Sequence, residues 1–154
     1  MKVFNLFGDE WDLHGDREGY CIRDAHVGMH LGSELIGGSL YELDPGEKTW
    51  PYHIHHANEE WLVVVRGRPT LPTPDGEQDL KEGDTVCFRR GPAGAHQVTN
   101  RSDAPARVLI LSTMHAPELV EYPDSGKVGA RDAKGERLLM IRPGEQLDYW
   151  DGEP

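Results

Sequence analysis

Basic residues, cysteines and long apolar runs are all scarce in this chain. Its 154 residues carry 16 Lys and Arg against 27 Asp and Glu, a formal net charge of -11. A field of that sign repels nucleic-acid backbones and anionic membrane surfaces, and no basic run interrupts it, so neither is an expected partner. There are two cysteines, Cys21 and Cys87, with neither a C-x-x-C pairing nor the spacing of a disulfide framework. They read as small buried thiols of a reducing compartment, Cys87 inside the apolar stretch 85–88, with a pairing between the two left open. Near the N-terminus only residues 3–7 form an apolar stretch, and Asp9 and Glu10 follow at once. A secretory segment needs more length and a cationic start, so a cytoplasmic location is expected.

No sustained 3.6-residue apolar period appears either, which argues against a helical bundle. A hydrophobic content of 37% is low for helical packing but sufficient for a barrel filled by alternating residues, and the length suits a single domain. Short β-type runs at 35–43, 60–65, 69–73, 85–89, 96–100, 106–112 and 138–141 alternate with turn signals. The turns carry suitable residues: Asp44-Pro45-Gly46-Glu47, Pro74-Asp75-Gly76-Glu77, Glu82-Gly83-Asp84 and Gly91-Pro92-Ala93-Gly94. Strands at this spacing predict an all-β barrel or sandwich. Residues 116–136, rich in Pro, Gly and charge, read as a surface loop. Within them Asp124-Ser125-Gly126-Lys127 lacks the earlier glycine and the helix of a phosphate loop.

Four side chains stand out: His53, His55, Glu60 and His96. Three imidazoles and a carboxylate suit a divalent transition ion, and in a strand His53 and His55 share one face. Glu59 competes for the carboxylate role, although alternation from Glu60 to Arg66 favours Glu60. The remaining histidines are less suggestive. His26 and His30 are four apart, but Gly28 separates them and no Glu follows His26, so they read as loop or strand residues; His14 and His115 read as solvated, and His56 should face away from its neighbour.

The frame around the four is more specific than the histidines alone. One stretch runs Pro45-Gly46, His53-x-His55, Glu60 and Gly67; the other runs Gly83-Asp84, Pro92-x-Gly94-x-His96 and Asn100. Together they resemble the two signature motifs of the cupin superfamily, with one extra residue between Gly46 and His53 and a longer gap between Gly83 and Pro92. Pro51-Tyr52-His53-Ile54-His55-His56-Ala57-Asn58-Glu59-Glu60, 91–97 and 121–127 also resemble a bacterial subgroup of single-domain cupins without a settled activity. The resemblance implies a single-domain antiparallel β-barrel of jelly-roll type, with His53, His55, Glu60 and His96 as ligands of one iron, manganese, zinc or nickel ion. By this reading residues 1–33 form an arm packed on the barrel, 34–115 its core, and 116–154 a loop and strand completing the barrel or a dimer contact. The resemblance further implies a homodimer, with Trp11 and Trp150 as apolar contacts.

A divalent ion so held keeps positions open for water, oxygen or an anionic substrate, so the expected function is metal-dependent chemistry on a small organic molecule, dioxygenase-like or isomerase-like. The alternative is a small-ligand-binding or sensing module. Tyr52, Glu59 and Gln97 flank the ligands and are the candidate catalytic residues; Arg89 or Arg90 is a candidate substrate clamp, although an exposed rim pair is the simpler reading.

Overall fold

The computed structural model describes residues 1–153. Its elements, in order, are β1 (Leu13–His14), β2 (Arg23–Ala25), α1 (Val27–Leu31), β3 (Gly37–Leu43), β4 (Ile54–His55), β5 (Glu60–Arg66), β6 (Thr70–Thr73), β7 (Gly76–Asp79), β8 (Thr85–Phe88), β9 (Ala106–Ser112), β10 (Glu118–Tyr122), β11 (Lys127–Arg131) and β12 (Arg137–Ile141). Short 3-10 turns occupy Pro92–Gly94 and Pro123–Ser125. One antiparallel sheet has the order β1-β2-β3-β9-β5-β8, a second has β12-β11-β10-β4, and β6-β7 is a separate hairpin. The two larger sheets make the jelly-roll barrel. No helix among the described residues is long and apolar enough to cross a membrane.

Alternation assigns the inner face. Leu62 and Val64 of β5, Val108 of β9 and Leu43 of β3 join Leu71 and Val98 in the main buried cluster. Tyr41 stands opposite Val108 and Leu62 opposite Ile110, so the same register carries Tyr41, Glu60 and Ile110 to the lumen. β3 is buried on its other face too, because Phe4, Leu6 and Trp11 pack against Ala25, Val27 and Leu40 there. Arg107, 1% exposed, fastens that N-terminal segment. Its guanidinium donates to the carbonyls of Leu6 and Gly8 at 2.9 and 2.7 Å, pairs with Glu42 and Asp9, and lies over the Trp11 ring. A buried cation is tolerable only with its donors so satisfied.

Two motif residues have clear structural reasons. A Cβ on Gly94 would fall 1.7 Å from the Arg89 carbonyl oxygen, so only glycine lets the turn close beneath β8. Asn100 is fully buried; its amide donates to the carbonyls of Leu43 and Ala104, and its oxygen accepts from the backbone and hydroxyl of Ser102.

Four sequence expectations need correction. Residues 116–136 are not simply a surface loop: β10 and β11 lie there and wall the barrel. β10 turns Glu118 inward and leaves Leu119 exposed, which hides the usual apolar-in alternation. Residues 96–100 form isolated bridges, His53 with His96 and Thr99 with Lys48 and Thr70, and no continuous strand. His26 keeps the loop position expected of it, just before α1, but His30 lies within that helix, because Gly28 lets the short helix approach the β3 backbone; a Cβ there would sit 3.0 Å from the Gly38 nitrogen. Both cysteines are free and exposed; Cys87 faces outward from the edge strand β8, opposite Trp61.

Candidate metal centre

The site begins with a backbone pairing. The His53 N–H donates to the His96 carbonyl at 3.1 Å and the His96 N–H returns to His53 at 3.0 Å, so residues 43 apart in sequence become cross-strand neighbours. Their rings lie 4.6 Å apart, and the His53 and His55 rings 4.8 Å apart. β4 brings His55 in opposite Val120 of β10, and β5 brings Glu60 in opposite Phe88 of β8. Phe88 in turn stacks on His96 with ring centres 3.7 Å apart, fixing the imidazole plane.

His53 and His55 bring their Nε2 atoms together, and His96 Nε2 approaches the same Glu60 oxygen that His55 does. Nδ1 of His53 lies 2.8 Å from the Pro51 carbonyl and Nδ1 of His96 2.9 Å from that of Gly94, which places the ring proton on Nδ1 and frees the Nε2 lone pair. His53 Nε2 and His55 Nε2 are 3.1 Å apart, and Glu60 Oε2 lies 3.5 Å from His55 Nε2 and 3.4 Å from His96 Nε2. Donor atoms of His53, His55 and Glu60 all lie within 4.8 Å of one another. Donors about 2.1 Å from a shared ion and at right angles stand roughly 3 Å apart, so these separations fit adjacent corners of one coordination sphere. The buried Nε2 of His96 has no hydrogen-bond partner, a costly orphan that a cation would satisfy.

The protonation states of His53 and Glu60 agree with that use. Burial, helped by the neighbouring His96 and His55, pushes His53 down to about 4, so it is neutral near pH 7. Burial works to raise Glu60, but the nearby imidazoles, His96 first and then His55, outweigh it and hold the carboxyl below its usual range. For His55, burial is outweighed by Glu118 and Glu60, which hold it above its ordinary value. Metal ligands must be deprotonated, and the ion's own charge would displace a proton shared at this point.

The four side chains line a cavity of about 290 Å³, completed by Tyr41, Trp50, Tyr122 and Arg131 among others. Tyr41, His55, Glu60 and Arg131 also border an adjoining space of about 410 Å³ beneath the β11–β12 turn. Burial pushes the Tyr41 hydroxyl up to about 12, so it remains a hydrogen-bond donor at neutral pH. Tyr52, Glu59 and Gln97 do not line either space. Gln97 donates its amide to the Trp50 carbonyl, Glu59 lies beside Cys87 outside the barrel, and Tyr52 is half-buried away from both spaces. Arg89 and Arg90 are exposed, and His56 turns away to Glu121 at 2.9 Å.

Sequence reasoning missed a buried support behind His55. Glu118 of β10 accepts from the backbone N–H of His56 and Ala57 at 3.0 and 3.2 Å and from the Asn58 amide, and its Oε2 lies 3.7 Å from His55 Nδ1. Asn58 accepts from the Thr113 hydroxyl and the His115 N–H, fixing the loop between His55 and Glu60. Arg131 was missed for the same reason as Glu118: both lie in strands whose sequence reads as loop.

Comparisons place this architecture. A cupin domain model matches residues 39–112, the span holding both motifs. A solved structure from Silicibacter pomeroyi DSS-3, described as a sugar phosphate isomerase from a cupin superfamily, is 30% identical with a TM-score of 0.75, covering 86% of this chain and 82% of that one. A candidate sugar phosphate isomerase from Acidithiobacillus ferrooxidans is 25% identical with a TM-score of 0.78, covering 90% and 88%. A Cupin 2 conserved barrel domain protein from Salinispora arenicola, at 23% identity and a TM-score of 0.57 over 75% and 91%, shares the fold. No curated protein matches the sequence. Paired motif strands, an inward His and Glu cluster and 30% identity over most of both chains lead to one conclusion: this protein belongs to the cupin superfamily.

Proposed function

We propose that the protein is a metal-dependent isomerase of a small phosphorylated sugar, with one divalent ion held by His53, His55, Glu60 and His96. The observation that carries this reading is the cluster of His53, His55 and Glu60 donor atoms, with His96 Nε2 3.4 Å from the Glu60 carboxylate, in a lumen that also holds a neutral tyrosine hydroxyl and an arginine. The sugar phosphate part rests on the two relatives so described. When bound, the ion supplies Lewis-acid polarisation of a substrate oxygen. Tyr41 donates a hydrogen bond to a sugar oxygen, and the Arg131 guanidinium takes the phosphate with its planar pair of donors. Ile110 and Val120 limit water around the sugar carbons.

Aldose–ketose isomerisation moves a proton between adjacent carbons, so it is visible as exchange with solvent. In deuterated water, with iron, manganese, zinc or nickel restored in turn, the protein is expected to introduce deuterium next to the carbonyl of a sugar phosphate. Arg131→Gln is expected to raise KM for the phosphorylated sugar about tenfold or more, the scale of one charge-assisted contact, with little change for the unphosphorylated sugar. Absence of both solvent exchange and NMR-detected isomerised product across a panel of sugar phosphates, at one equivalent of metal, defeats the proposal. A second reading, a binding or sensing module, draws support from the placement of Tyr52, Glu59 and Gln97 outside the lumen; turnover of any bound sugar rejects it.

We also infer a homodimer built through β12, in a cytoplasmic protein whose two exposed thiols stay reduced. β12 is the edge of its sheet, and Leu138, Leu139, Met140 and Ile141 are exposed in succession, a hydrophobic edge that a second copy can pair with and cover. Trp150 is exposed beyond it, while Trp11 is engaged beneath Arg107. Light scattering is expected to give twice the chain mass for the native protein and the single mass for L138K/I141K. A monomeric native protein at micromolar concentration overturns the inference.

A further inference from the structure

A second cavity, of about 450 Å³, lies beside the lumen and is lined by none of His53, His55, Glu60 and His96; its lining includes Leu13, Tyr20, Ile22, Asp24, Trp50 and Pro51. The volume falls in the range of small-molecule sites. The segment joining β1 to β2 forms one side and is fixed by its own hydrogen bonds. The Gly15 N–H reaches the Ile22 carbonyl at 2.8 Å, Tyr20 N–H that of Arg17 at 2.8 Å, and Cys21 N–H the Glu47 carboxylate at 2.7 Å. The cavity is therefore preformed.

Asp24 gives it chemical character. The residue is 4% exposed, and its Oδ1 is buried without a hydrogen-bond partner. His26 approaches only the other oxygen, with Nε2 3.5 Å from Oδ2. Burial raises the carboxyl to about 6, and an orphaned carboxylate oxygen costs stability until a donor reaches it. Trp50 is 44% exposed and presents apolar surface to the same cavity.

We propose that this cavity binds a neutral polyhydroxylated ring, with a hydroxyl donating to Asp24 and an apolar C–H face resting on Trp50. The surrounding charges select that class. Arg17 lines the cavity and Lys48 lies over the Tyr20 ring at 5.9 Å, which opposes an organic cation; Asp16 and Asp24 oppose an anion. A hydroxyl supplies the missing donor without a net charge. Trp50 and Pro51 also wall the lumen, so the ring of a neutral sugar lies next to the metal centre and separate from its ligands.

The proposal is independent of isomerase activity and is tested on the metal-free 154-residue chain. Glucose, galactose and maltose, each titrated to about 50 mM to reach weak affinities, are followed by amide and indole NMR shifts. At least one is expected to shift residues 13–24 and the Trp50 indole. Asp24→Asn and Trp50→Ala are each expected to weaken that binding about tenfold, while His55→Ala leaves it unchanged. Trp50→Ala provides the reading if Asp24→Asn does not fold. Shifts confined to the lumen, no shift with any of the three sugars, unchanged affinity in a folded variant, or preferential binding of ethanolamine would overturn the proposal.

Discussion

His55→Ala is expected to lose stoichiometric metal binding while keeping the barrel folded. His55 brings Nε2 to 3.1 Å from that of His53 and 3.5 Å from Glu60 Oε2 but lies at the end of a two-residue strand and is not part of the main buried cluster. Structural zinc sites bind with about 10–16 kcal/mol shared by four ligands, so one ligand accounts for roughly 3 kcal/mol, about a hundredfold in affinity. Metal content after dialysis, calorimetric titration and thermal melting measure the two halves of the expectation. A folded variant that retains one equivalent of ion at native affinity rules out His55 as a ligand. His96→Ala is less clean, because that ring is buried and stacked on Phe88, and its removal also leaves a void.

The site was legible in sequence to the extent that local geometry carried it. His53-x-His55 shares a face by strand periodicity, and alternation along β5 turns Glu60 inward and leaves Trp61 outside. Turn glycines were legible as well, although the backbone crowding that demands Gly94 belongs to the folded arrangement. Non-local pairing was not legible. Nothing near His96 announces its two bonds to the His53 backbone, and nothing near Tyr41 announces that β9 and β5 will carry it toward the lumen.

The errors share one physical cause. Burial in this barrel does not follow polarity. Glu118, Arg107, Asp24 and Asn58 are buried, while Cys87, Leu119 and the apolar residues of β12 are exposed. A pattern of apolar residues therefore finds β3, β5 and β9, whose inner faces pack the core, and misses β10 and β11, whose inner faces carry polar residues for the site. Local consistency is weakest where the chain serves a site, so the unreadable strand was also an informative one.

Glu118→Gln follows from that strand and is expected to weaken metal affinity about 10–100-fold, the usual effect of removing a partner that orients a ligating histidine. His53 and His96 have backbone carbonyls to hold Nδ1, but the buried Nδ1 of His55 has no hydrogen-bond partner and faces only the Glu118 carboxylate, 3.7 Å away. Glutamine preserves the shape and one acceptor for the His56 and Ala57 N–H groups, but removes the negative charge that favours a proton on Nδ1. The expected signature is therefore weaker metal binding together with a changed His55 ring-nitrogen resonance in the metal-free protein. A purely structural Glu118 would lower the melting temperature and leave both unchanged. Native affinity and an unaltered His55 signal in folded Glu118→Gln would remove Glu118 from the metal centre.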